Sequence, residues 1–427
     1  MTVVARKKIA IIGSGISGLL SDYLLSRRHD VCVFEAENEI GGHTATKLVA
    51  TPEGQVAVDT GFIVFNDRTY PNFLKLLARL NVAYQPTEMG FSVACQASGF
   101  EYSGTSLNGL FAQRKNIFSK SHWQMLREIV KFNAACTLLY TNNSIPEDQT
   151  LGEYLQLHGY SEKFIHFYIL PMVSAIWSSP LGTAAAMPLV FFVRFFHNHG
   201  LLTVTRQPQW YTIKGGSHQY LHPLTAPYKE TIYTGCPVLG VRRTSDSVVI
   251  TTDRFGEQNF DEVIFACHSD QALKLLADPS PAEYDILSAI PYQANQVALH
   301  SDISLLPKLR RTWASWNYIF LHSASSSSVS DNAALTYNMN ILQKLSSATT
   351  FCVSVNAGEA IDPAKIYGEY QYSHPMFTRE SVVAQERWEE ISGVNRTHYC
   401  GAYWRNGFHE DGVVSAIRVA EMLGEIW

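Results

Sequence analysis

The chain has 427 residues, of which 46% are hydrophobic and only 17% are charged. Because a chain this apolar can bury more surface than the ordering of its backbone requires, the composition excludes intrinsic disorder. The formal charge of −5 excludes the basic footprint of a nucleic-acid-binding protein, and the sequence contains no Lys/Arg block of the kind that binds acidic lipid headgroups.

Membrane spans, metal sites and disulfides are not predicted either. The longest apolar run, 184–193, is far shorter than the ~20 residues of a membrane span and is interrupted by Pro188. The seven cysteines are spread along the chain without a C-x-x-C pair, and no set of His, Cys, Asp and Glu has metal-ligand spacing. The N-terminus shows no signal-peptide cleavage pattern. We therefore expect a cytoplasmic protein with a large core.

The first predicted element is a strand–turn–helix–strand unit. An apolar strand at 8–12 leads into a glycine-rich turn and a leucine-rich helix, and a second strand at 31–34 ends at Glu35. In such a unit the glycines permit a tight turn, close approach of a pyrophosphate and close helix packing, while the terminal acid binds a ribose. The unit predicts a dinucleotide site but does not distinguish NAD from FAD. The turn residues are Gly13, Ser14, Gly15, Ile16, Ser17 and Gly18.

A second glycine segment follows, and it carries a family resemblance. Gly41-Gly42-His43-Thr44 comes soon after Glu35, and Asp59-Thr60-Gly61-Phe62 follows. With the first unit, these segments resemble the flavin-containing amine oxidase superfamily, which includes amine oxidases, protoporphyrinogen oxidases and carotenoid desaturases. The resemblance implies FAD as the cofactor, although His43 stands where those families usually have Arg. It implies further FAD contacts from Glu35, Ala36, Gly41, Gly42, His43, Thr44, Gly61 and Phe62.

The middle of the chain predicts a change of architecture. Amphipathic helices are expected at 70–80, 122–140, 151–158 and 162–170, and a β-meander is expected at 238–243, 247–252 and 258–260. A strand at 261–267 with a helix at 270–276 returns the chain to the first sheet. Strands at 296–300, 336–339 and 351–355 and a serine-rich loop at 323–330 follow.

The predicted fold class is α/β, with a Rossmann-like FAD-binding domain of the GR2 type and an interleaved α+β substrate-binding domain. The FAD-binding domain is assigned to 1–62, 211–289 and 391–427. The substrate-binding domain is assigned to 63–210 and 290–390.

The C-terminal segment predicts a strand and turn at 398–402 and a helix at 413–423, with Asp411 as its N-cap. The resemblance implies that this helix begins against the flavin ring, where its dipole stabilises negative charge. It implies FAD contacts from Val238, Gly401, Asp411, Gly412 and Val413. It also places His409 and Glu410 near the flavin edge, and these are the predicted catalytic residues; a purely structural turn is the alternative.

Several strings are similar to a narrower bacterial group of predicted NAD/FAD-binding amine-oxidase-like proteins, which is associated with cyclopropane-type fatty acyl methylases. They are 41–44, 59–66, 70–73, 208–211, 214–217, 374–377 and 407–412. This resemblance implies a lipid substrate, a fatty acyl methylase as partner and peripheral contact with the inner face of the membrane. Segment 293–299 lacks the Lys that flavin amine oxidases commonly place near the flavin, which disfavours ordinary amine oxidation.

Aromatic clusters could line a channel for an apolar substrate or could belong to the core. They are Phe191, Phe192, Phe195 and Phe196; Trp313, Trp316 and Tyr318; Tyr337; and Tyr403 with Trp404. Arg194, His197 and His199 could meet a headgroup or form a solvated helix face. The leading hypothesis is an FAD-dependent oxidoreductase that transfers hydride from an apolar, fatty acyl substrate to flavin. The alternatives are an isomerase or desaturase without net flavin turnover, an amine oxidase, and a non-catalytic flavin-binding partner of a lipid methylase.

Overall fold

The structure is a computed structural model that describes residues 5–177, 179–203, 207–321 and 333–427. The predicted serine-rich loop at 323–330 lies outside these residues. The described strands are β1 Lys8–Ile12, β2 Asp30–Phe34, β3 Thr46–Thr51, β4 Gly54–Asp59, β5 Val64–Asn66, β6 Tyr84–Thr87, β7 Phe91–Cys95, β8 Glu101–Ser103, β9 Trp210–Ile213, β10 Ile232–Tyr233, β11 Val238–Arg243, β12 Val248–Thr252, β13 Gly256–Phe260, β14 Glu262–Phe265, β15 Tyr292–His300, β16 Trp316–Phe320, β17 Ala333–Asn338, β18 Cys352–Val355, β19 Ile366–Pro375 and β20 Thr397–Tyr399.

The helices confirm most of the predicted ones and add several short segments. The described α-helices are α1 Ile16–Leu25, α2 Pro71–Arg79, α3 Leu107–Leu110, α4 Lys120–Thr141, α5 Leu151–Leu157, α6 Glu162–Phe164, α7 Leu170–Trp177, α8 Leu181–Ala186, α9 Leu189–Asn198, α10 Leu221–Thr225, α11 Ser269–Leu275, α12 Pro281–Ser288, α13 Met339–Leu342, α14 Arg379–Glu386 and α15 His409–Met422. A π-helical turn, Ile165–Ile169, joins α6 to α7. Within the described part of the chain, no helix is both long and apolar enough to cross a membrane.

A parallel five-stranded sheet forms the Rossmann-like part of the fold. Its strand order is β10-β2-β1-β14-β20, and every neighbouring pair is parallel. Ile9, Ala10 and Ile11 are completely buried because helices and loops cover both faces, as a continuous apolar strand requires. The antiparallel meander β11-β12-β13 lies in the sequence between β10 and β14. The predicted α/β fold class is therefore confirmed.

A seven-stranded mixed sheet forms the second layer, with the order β19-β15-β18-β17-β16-β7-β8. Its pairs are antiparallel except for β16 with β7, which are parallel. Helices α4 to α9 bury an apolar cluster against this sheet. The region 63–210 is less helical than the sequence indicated, because it also contains the short strands β7 and β8, which pair with each other and join the sheet through the pairing of β7 with the distant β16.

Side-chain packing does not follow the two predicted domains at every point. The strands of the five-stranded sheet all come from the predicted FAD-binding segments, and those of the seven-stranded sheet from the predicted substrate-binding segments. However, α2 packs on α15, and its side chains Phe73, Leu76 and Leu77 join the core of the Rossmann-like part. The sheet β5-β9-β6 also pairs strands from both predicted domains. The domain boundaries therefore stay a prediction.

The C-terminal helix begins four residues earlier than expected. It starts at His409, and Asp411 occupies its first turn instead of the N-cap position. The carboxylate of Asp411 accepts the backbone N–H of Phe408 at 2.9 Å, which holds the chain in a helical turn upstream of Asp411. The prediction of Asp411 as N-cap was wrong for this reason.

Candidate functional site

The glycine-rich turn lies at the carboxyl end of β1, where α1 begins. A Cβ on Gly13 would lie 2.8 Å from the carbonyl oxygen of Ala266, and one on Gly18 would lie 2.0 Å from that of Gly13. By contrast, a Cβ on Gly15 would meet no atom within 4 Å, and this N-cap residue of α1 receives no side-chain cap. The turn is therefore closed on its inner side and open on its outer side, where the free N–H groups of the helix can bind an anion. Ser14, Ile16 and Ser17 are buried beside it.

Glu35 ends β2 next to this turn. Its Oε2 accepts the backbone N–H of Ser14 at 2.8 Å and the Ser14 hydroxyl at 2.5 Å, and its Oε1 accepts the N–H of Glu37 at 2.9 Å. Ala36 is exposed. The N–H of Cys236 bonds to the Glu35 carbonyl at 2.8 Å, which brings the start of β11 at Val238 to the same end of the sheet. These contacts place Glu35, the predicted ribose-binding residue, near Ala36 and the start of β11.

The second glycine segment packs against the first turn. Gly41 donates its N–H to the Ser14 carbonyl at 3.0 Å, and Gly42 is exposed with a φ of 56°. On the other side of the segment, a Cβ on Gly61 would lie 2.1 Å from the His43 carbonyl oxygen, which accepts the N–H of Phe62 at 2.7 Å. Close backbone approach thus brings the two sequence-predicted segments together.

The C-terminal unit, which runs from Gly401 into α15, also packs beside the glycine-rich turn. The backbone N–H of Gly401 bonds to Ser415 Oγ of α15 at 2.8 Å. A Cβ on Gly412 would lie 2.8 Å from Ile16 Cγ2, so α15 crosses α1 in close contact at this glycine. Val413 is completely buried. Burial raises the pKa of Asp411 to about 6.

His409 is part of a buried hydrogen-bonded chain. Its Nε2 lies 2.9 Å from the hydroxyl oxygen of Tyr220, which lies 2.5 Å from the hydroxyl oxygen of Thr44. The imidazole stacks on Phe62 with 3.7 Å between ring centroids. Burial, together with the neighbouring His43, lowers the pKa of His409 to about 3. His409 is therefore neutral at physiological pH and joins α15 to the second glycine segment; its catalytic assignment stays a prediction.

Glu410 makes contacts of a different kind, although it is adjacent in sequence. Its Oε1 accepts the backbone N–H of Asn72 at 3.0 Å and the side-chain amide of Asn72 at 2.8 Å, while its Oε2 accepts the N–H of Phe73 at 2.8 Å. The carboxylate thus caps the first turn of α2, whose N-cap residue supplies no side-chain bond. Burial nevertheless raises the pKa of Glu410. Glu410 therefore has a structural role in joining α15 to the start of α2, and its catalytic assignment stays a prediction.

Three histidines from separate segments meet beside the second glycine segment. The ring of His43 lies 5.4 Å from that of His374 and 6.3 Å from that of His268, and the Tyr372 ring lies 5.1 Å from His43. Asn295 Nδ2 lies 2.9 Å from Nδ1 of His374, an arrangement in which Asn295 donates and the proton of a neutral His374 resides on Nε2. Burial lowers the pKa of His43 to about 3 and that of His374 to about 4.

This histidine cluster was missed by the sequence analysis, which treated His43 only as a replacement for Arg. The missed signal is that His268 follows the carboxyl end of β14, the edge at which parallel sheets bind ligands. His374 is at the end of β19, which pairs with β15. No local spacing connects these positions, because the cluster forms only when the two sheets meet.

An aromatic wall adjoins α15 at Phe408. Phe195 lies 5.1 Å from Phe408 and 4.6 Å from Trp177, and Phe377 stacks on Phe191 at 4.5 Å. We call Trp177, Phe191, Phe195, Phe377 and Phe408 the aromatic wall. A small pocket behind it is lined in part by Trp177, Phe377 and His374. The wall therefore connects the C-terminal unit to the histidine cluster.

The remaining predicted aromatic and headgroup residues are distributed elsewhere. Phe192 and Phe196 pack in the core, and Tyr403 and Trp404 are buried in the Rossmann-like part. Trp316 packs edge-on against Tyr337, while Tyr318 is buried and Trp313 donates its ring N–H to the Pro307 carbonyl. His197 stacks on Tyr140, His199 stacks on Phe195, and Arg194 is exposed. The structure does not gather these three residues into a headgroup site.

The arrangement fits FAD. The open outer side of Gly15 and the uncapped N-terminus of α1 suit a pyrophosphate, and exposed Gly42 allows close approach on the adjoining segment. His43 Nε2 is buried and has no hydrogen-bond partner among the described residues, so a polar group of a ligand can satisfy it. Among those same residues, no group of His, Cys, Asp and Glu could hold a metal ion.

Comparison with known proteins identifies the family of the chain. The model of the flavin containing amine oxidoreductase family matches residues 16–298, which is more than half of the chain. A Mycobacterium tuberculosis (strain CDC 1551 / Oshkosh) protein, named as a flavin-containing monoamine oxidase, AofH, is 25% identical over 289 residues. That alignment covers 66% of this chain and 61% of AofH, so the chain spans less than two thirds of this relative.

Solved structures show the same fold along nearly the whole chain. A CLA-producing fatty acid isomerase from P. acnes superposes with a TM-score of 0.69 at 15% identity, covering 98% of both chains. Cyclohexylamine oxidase from Brevibacterium oxydans IH-35A superposes with a TM-score of 0.66 at 13% identity, covering 98% of this chain and 99% of that one. The chain belongs to the flavin-containing amine oxidoreductase family.

Proposed function

We propose that the protein oxidises an apolar, fatty acyl substrate. The observation that carries this proposal is the aromatic wall, whose member Phe408 immediately precedes α15 and stacks on Phe195. A wall of this kind can bind methylene chains through apolar contact. FAD, when bound, accepts a hydride.

The chain's own residues would hold the cofactor and orient the substrate. The turn at 13–18 and the N-terminus of α1 would bind the pyrophosphate, and Glu35 would bind the ribose. Trp177 Nε1 is buried without a hydrogen-bond acceptor among the described residues, so it can donate to the polar end of an acyl chain. The oxidation of a carbon–carbon single bond to a double bond releases one hydride and one proton. In this proposal that proton would pass to the imidazole of His43 or His374, whose rings lie 5.4 Å apart beside the second glycine segment.

Amine oxidation is the second candidate, because the family and the AofH relative both favour it. Against it, segment 293–299 of β15 contains Gln293 and Gln296 but no Lys. An isomerisation in which the flavin returns to its starting state is compatible with the same aromatic wall. The two oxidations both leave the flavin reduced and differ in the substrate that reduces it, whereas isomerisation returns the flavin to its starting state.

The test is anaerobic mixing of the FAD-loaded protein with oleate, putrescine or cyclohexylamine, followed by flavin absorbance and mass spectrometry of the products. Lasting flavin bleaching with oleate and none with either amine is expected. Bleaching by the amines alone would replace the proposal with amine oxidation. An altered fatty acid with no lasting bleaching would replace it with isomerisation, and no change with any of the three would refute fatty acyl oxidation of this class.

A variant pair tests the aromatic wall itself. Phe377→Leu keeps the position apolar but removes the stack on Phe191. Phe255→Leu, in the hairpin between β12 and β13, is the matched control. We expect a several-fold higher KM for oleate in Phe377→Leu only, with unchanged flavin content in both variants. Equal KM values in the two variants would refute the role of the wall.

A further inference from the structure

On the side of the molecule that contains the seven-stranded sheet, one surface displays exposed apolar side chains together with exposed Lys and Arg side chains. Its apolar members are Leu107 of α3, and Ile117 and Phe118 of the 3₁₀ turn Arg114–Phe118. Phe118 is 88% exposed and Leu107 is 76% exposed. We call this the tip surface; its cations are Arg114, Lys115, Lys120, Lys308, Arg310 and Arg311.

Hydrogen bonds hold the turn that carries these exposed side chains. Ser119 caps α4 by accepting the N–H of His122 at 3.3 Å, and the His122 ring is buried with its Nε2 3.1 Å from the Leu110 carbonyl oxygen. Trp123 donates its ring N–H to the Ile117 carbonyl at 2.8 Å. These bonds fix the turn from beneath, so Phe118 is held outward instead of collapsing onto the core.

The charge of the tip surface is opposite to that of the chain. Between residues 102 and 127 the sequence contains four Lys and Arg residues and no carboxylate, although the chain has a formal charge of −5. The turn Arg310–Thr312 packs on α3 and β8, which brings the exposed cations of 308–311 to the same region. The neighbouring carboxylate of Glu101 is buried and accepts the N–H of Leu309 at 3.3 Å, so it is not displayed beside them.

We propose that the tip surface docks onto an anionic lipid membrane. Interfacial membrane anchors combine exposed apolar side chains with surrounding Lys and Arg side chains. The apolar side chains enter the boundary between the headgroups and the acyl chains, and the cations contact acidic headgroups. A second copy of the chain is a poorer occupant, because a two-fold contact would place the same six cations opposite each other. The docking does not depend on the identity of the oxidised substrate, so it stands or falls separately from the proposed function.

The test is cosedimentation of the full, FAD-loaded chain with vesicles of phosphatidylcholine, alone or with phosphatidylglycerol. Binding is expected only to the vesicles that contain phosphatidylglycerol, and added salt should weaken it. Phe118→Ser should lower the partition coefficient about tenfold. Lys115→Glu and Lys120→Glu should each lower it at least about fivefold.

Two variants serve as matched controls. Leu157→Ser removes an apolar side chain that is 73% exposed on α5, and Lys274→Glu reverses an exposed charge on α11. Both should bind the anionic vesicles like the unmodified chain, and all variants should retain the flavin spectrum that reports folding. Equal losses in Leu157→Ser and Phe118→Ser would overturn the proposal, as would failure of the unmodified chain to bind anionic vesicles at low salt. A dimer in lipid-free solution that Phe118→Ser dissociates would also overturn it.

Discussion

Replacement of Glu410 by Ala is expected to destabilise the contact between α15 and α2. The side chain accepts three hydrogen bonds from Asn72 and Phe73, which are 338 and 337 positions away in the sequence. Ala at this position leaves the N–H groups of a helix N-terminus without their acceptor. Since Phe73 is completely buried, water cannot replace the carboxylate there.

The magnitude follows from the number and kind of bonds. A hydrogen bond to a charged group contributes about 1.5–3 kcal/mol, and a negative charge at a helix N-terminus contributes about 0.3–1 kcal/mol. These terms overlap, and the half-buried Asn72 regains some hydration, so Glu410→Ala should lower the free energy of unfolding by about 3–5 kcal/mol. Glu410→Gln keeps an acceptor for Asn72 but brings an amide group toward the Phe73 N–H, and should cost about 1–2 kcal/mol.

Two measurements check this prediction. Urea unfolding followed by circular dichroism gives the relative stability, and hydrogen–deuterium exchange reports the amides of 72–74 directly. Glu421→Ala, an exposed position on the same helix, is the matched control and should change stability by less than about 0.5 kcal/mol. Exchange at 72–74 should accelerate in Glu410→Ala and stay unchanged in Glu421→Ala.

The reasoning is refuted if Glu410→Ala unfolds at the same urea concentration as Glu421→Ala and the amides of 72–74 exchange as slowly as before. The same variants also test the catalytic assignment made from the sequence. Loss of a proton-transfer group lowers turnover by about 10²–10⁴-fold. Glu410→Gln should instead keep the turnover of its folded fraction, and a large loss in a fully stable Glu410→Gln would restore the catalytic role.

Gly18→Ala should purify with little flavin absorbance, because its Cβ would lie 2.0 Å from the Gly13 carbonyl oxygen and would force α1 away from the turn. Burial raises the pKa of Asp59 to about 7, so the folded state holds a proton that the unfolded state releases above about pH 4. The unmodified chain therefore loses stability as the pH rises from about 4 to about 7, whereas Asn at this position does not titrate. In urea unfolding, the free energy of unfolding of Asp59→Asn, measured relative to that of the unmodified chain, should rise by about 2–3 kcal/mol between about pH 5 and pH 8. Glu283→Gln should cost about 1.5–3 kcal/mol in the same assay, because it removes the carboxylate that lies 2.5 and 2.9 Å from the buried Arg243 guanidinium and leaves Asp278, at 3.3 Å, as its carboxylate partner.

Each of these predictions has a matched control. A Cβ on Gly182 of α8 would meet no atom within 4 Å, so Gly182→Ala should retain flavin; equal flavin loss in both variants would contradict the steric argument. Asp253→Asn, at an exposed hairpin position, should leave the pH dependence of stability unchanged. If the stability of Asp59→Asn changed with pH in parallel with that of the unmodified chain, Asp59 would be ionised in the folded state and the prediction would be wrong. Glu257→Gln removes an exposed partner of Arg242 and should cost at most about 1 kcal/mol; a similar cost for Glu283→Gln would contradict the burial argument.

The parts of the fold that sequence predicted are those with local signals. The unit at 8–35 is encoded by neighbouring residues, since the turn glycines lie between two apolar strands, and its predicted strands and helix are confirmed within a few residues. The β-meander was likewise recognisable from alternation and a turn. By contrast, β7 and β8 were not predicted, because they are only five and three residues long and their hairpin is held in the sheet by the pairing of β7 with β16, which is more than 200 residues away.

The same distinction applies to the sites. The glycines of the FAD cradle follow from a motif, whereas the meeting of His43, His268 and His374 requires the two sheets to be in place. The tip surface was also invisible as a sequence block, because its cations come from two segments almost 200 positions apart. Association with a fatty acyl methylase stays a prediction, since surface complementarity to another chain leaves no motif in this one.

The strand order of the five-stranded sheet has a consequence for biosynthesis. Its central strand β1 contains residues 8–12, while the edge strand β20 contains 397–399 and leads into the helix that completes the FAD cradle. At about 5–20 residues per second, a ribosome needs at least about 20 s to proceed from the first glycine turn to that helix. The strands β2 and β14 that flank β1 are synthesised earlier in this interval, but β14 stays without its outer neighbour until β20 emerges. Completion of the FAD cradle is therefore a late event in the synthesis of this protein.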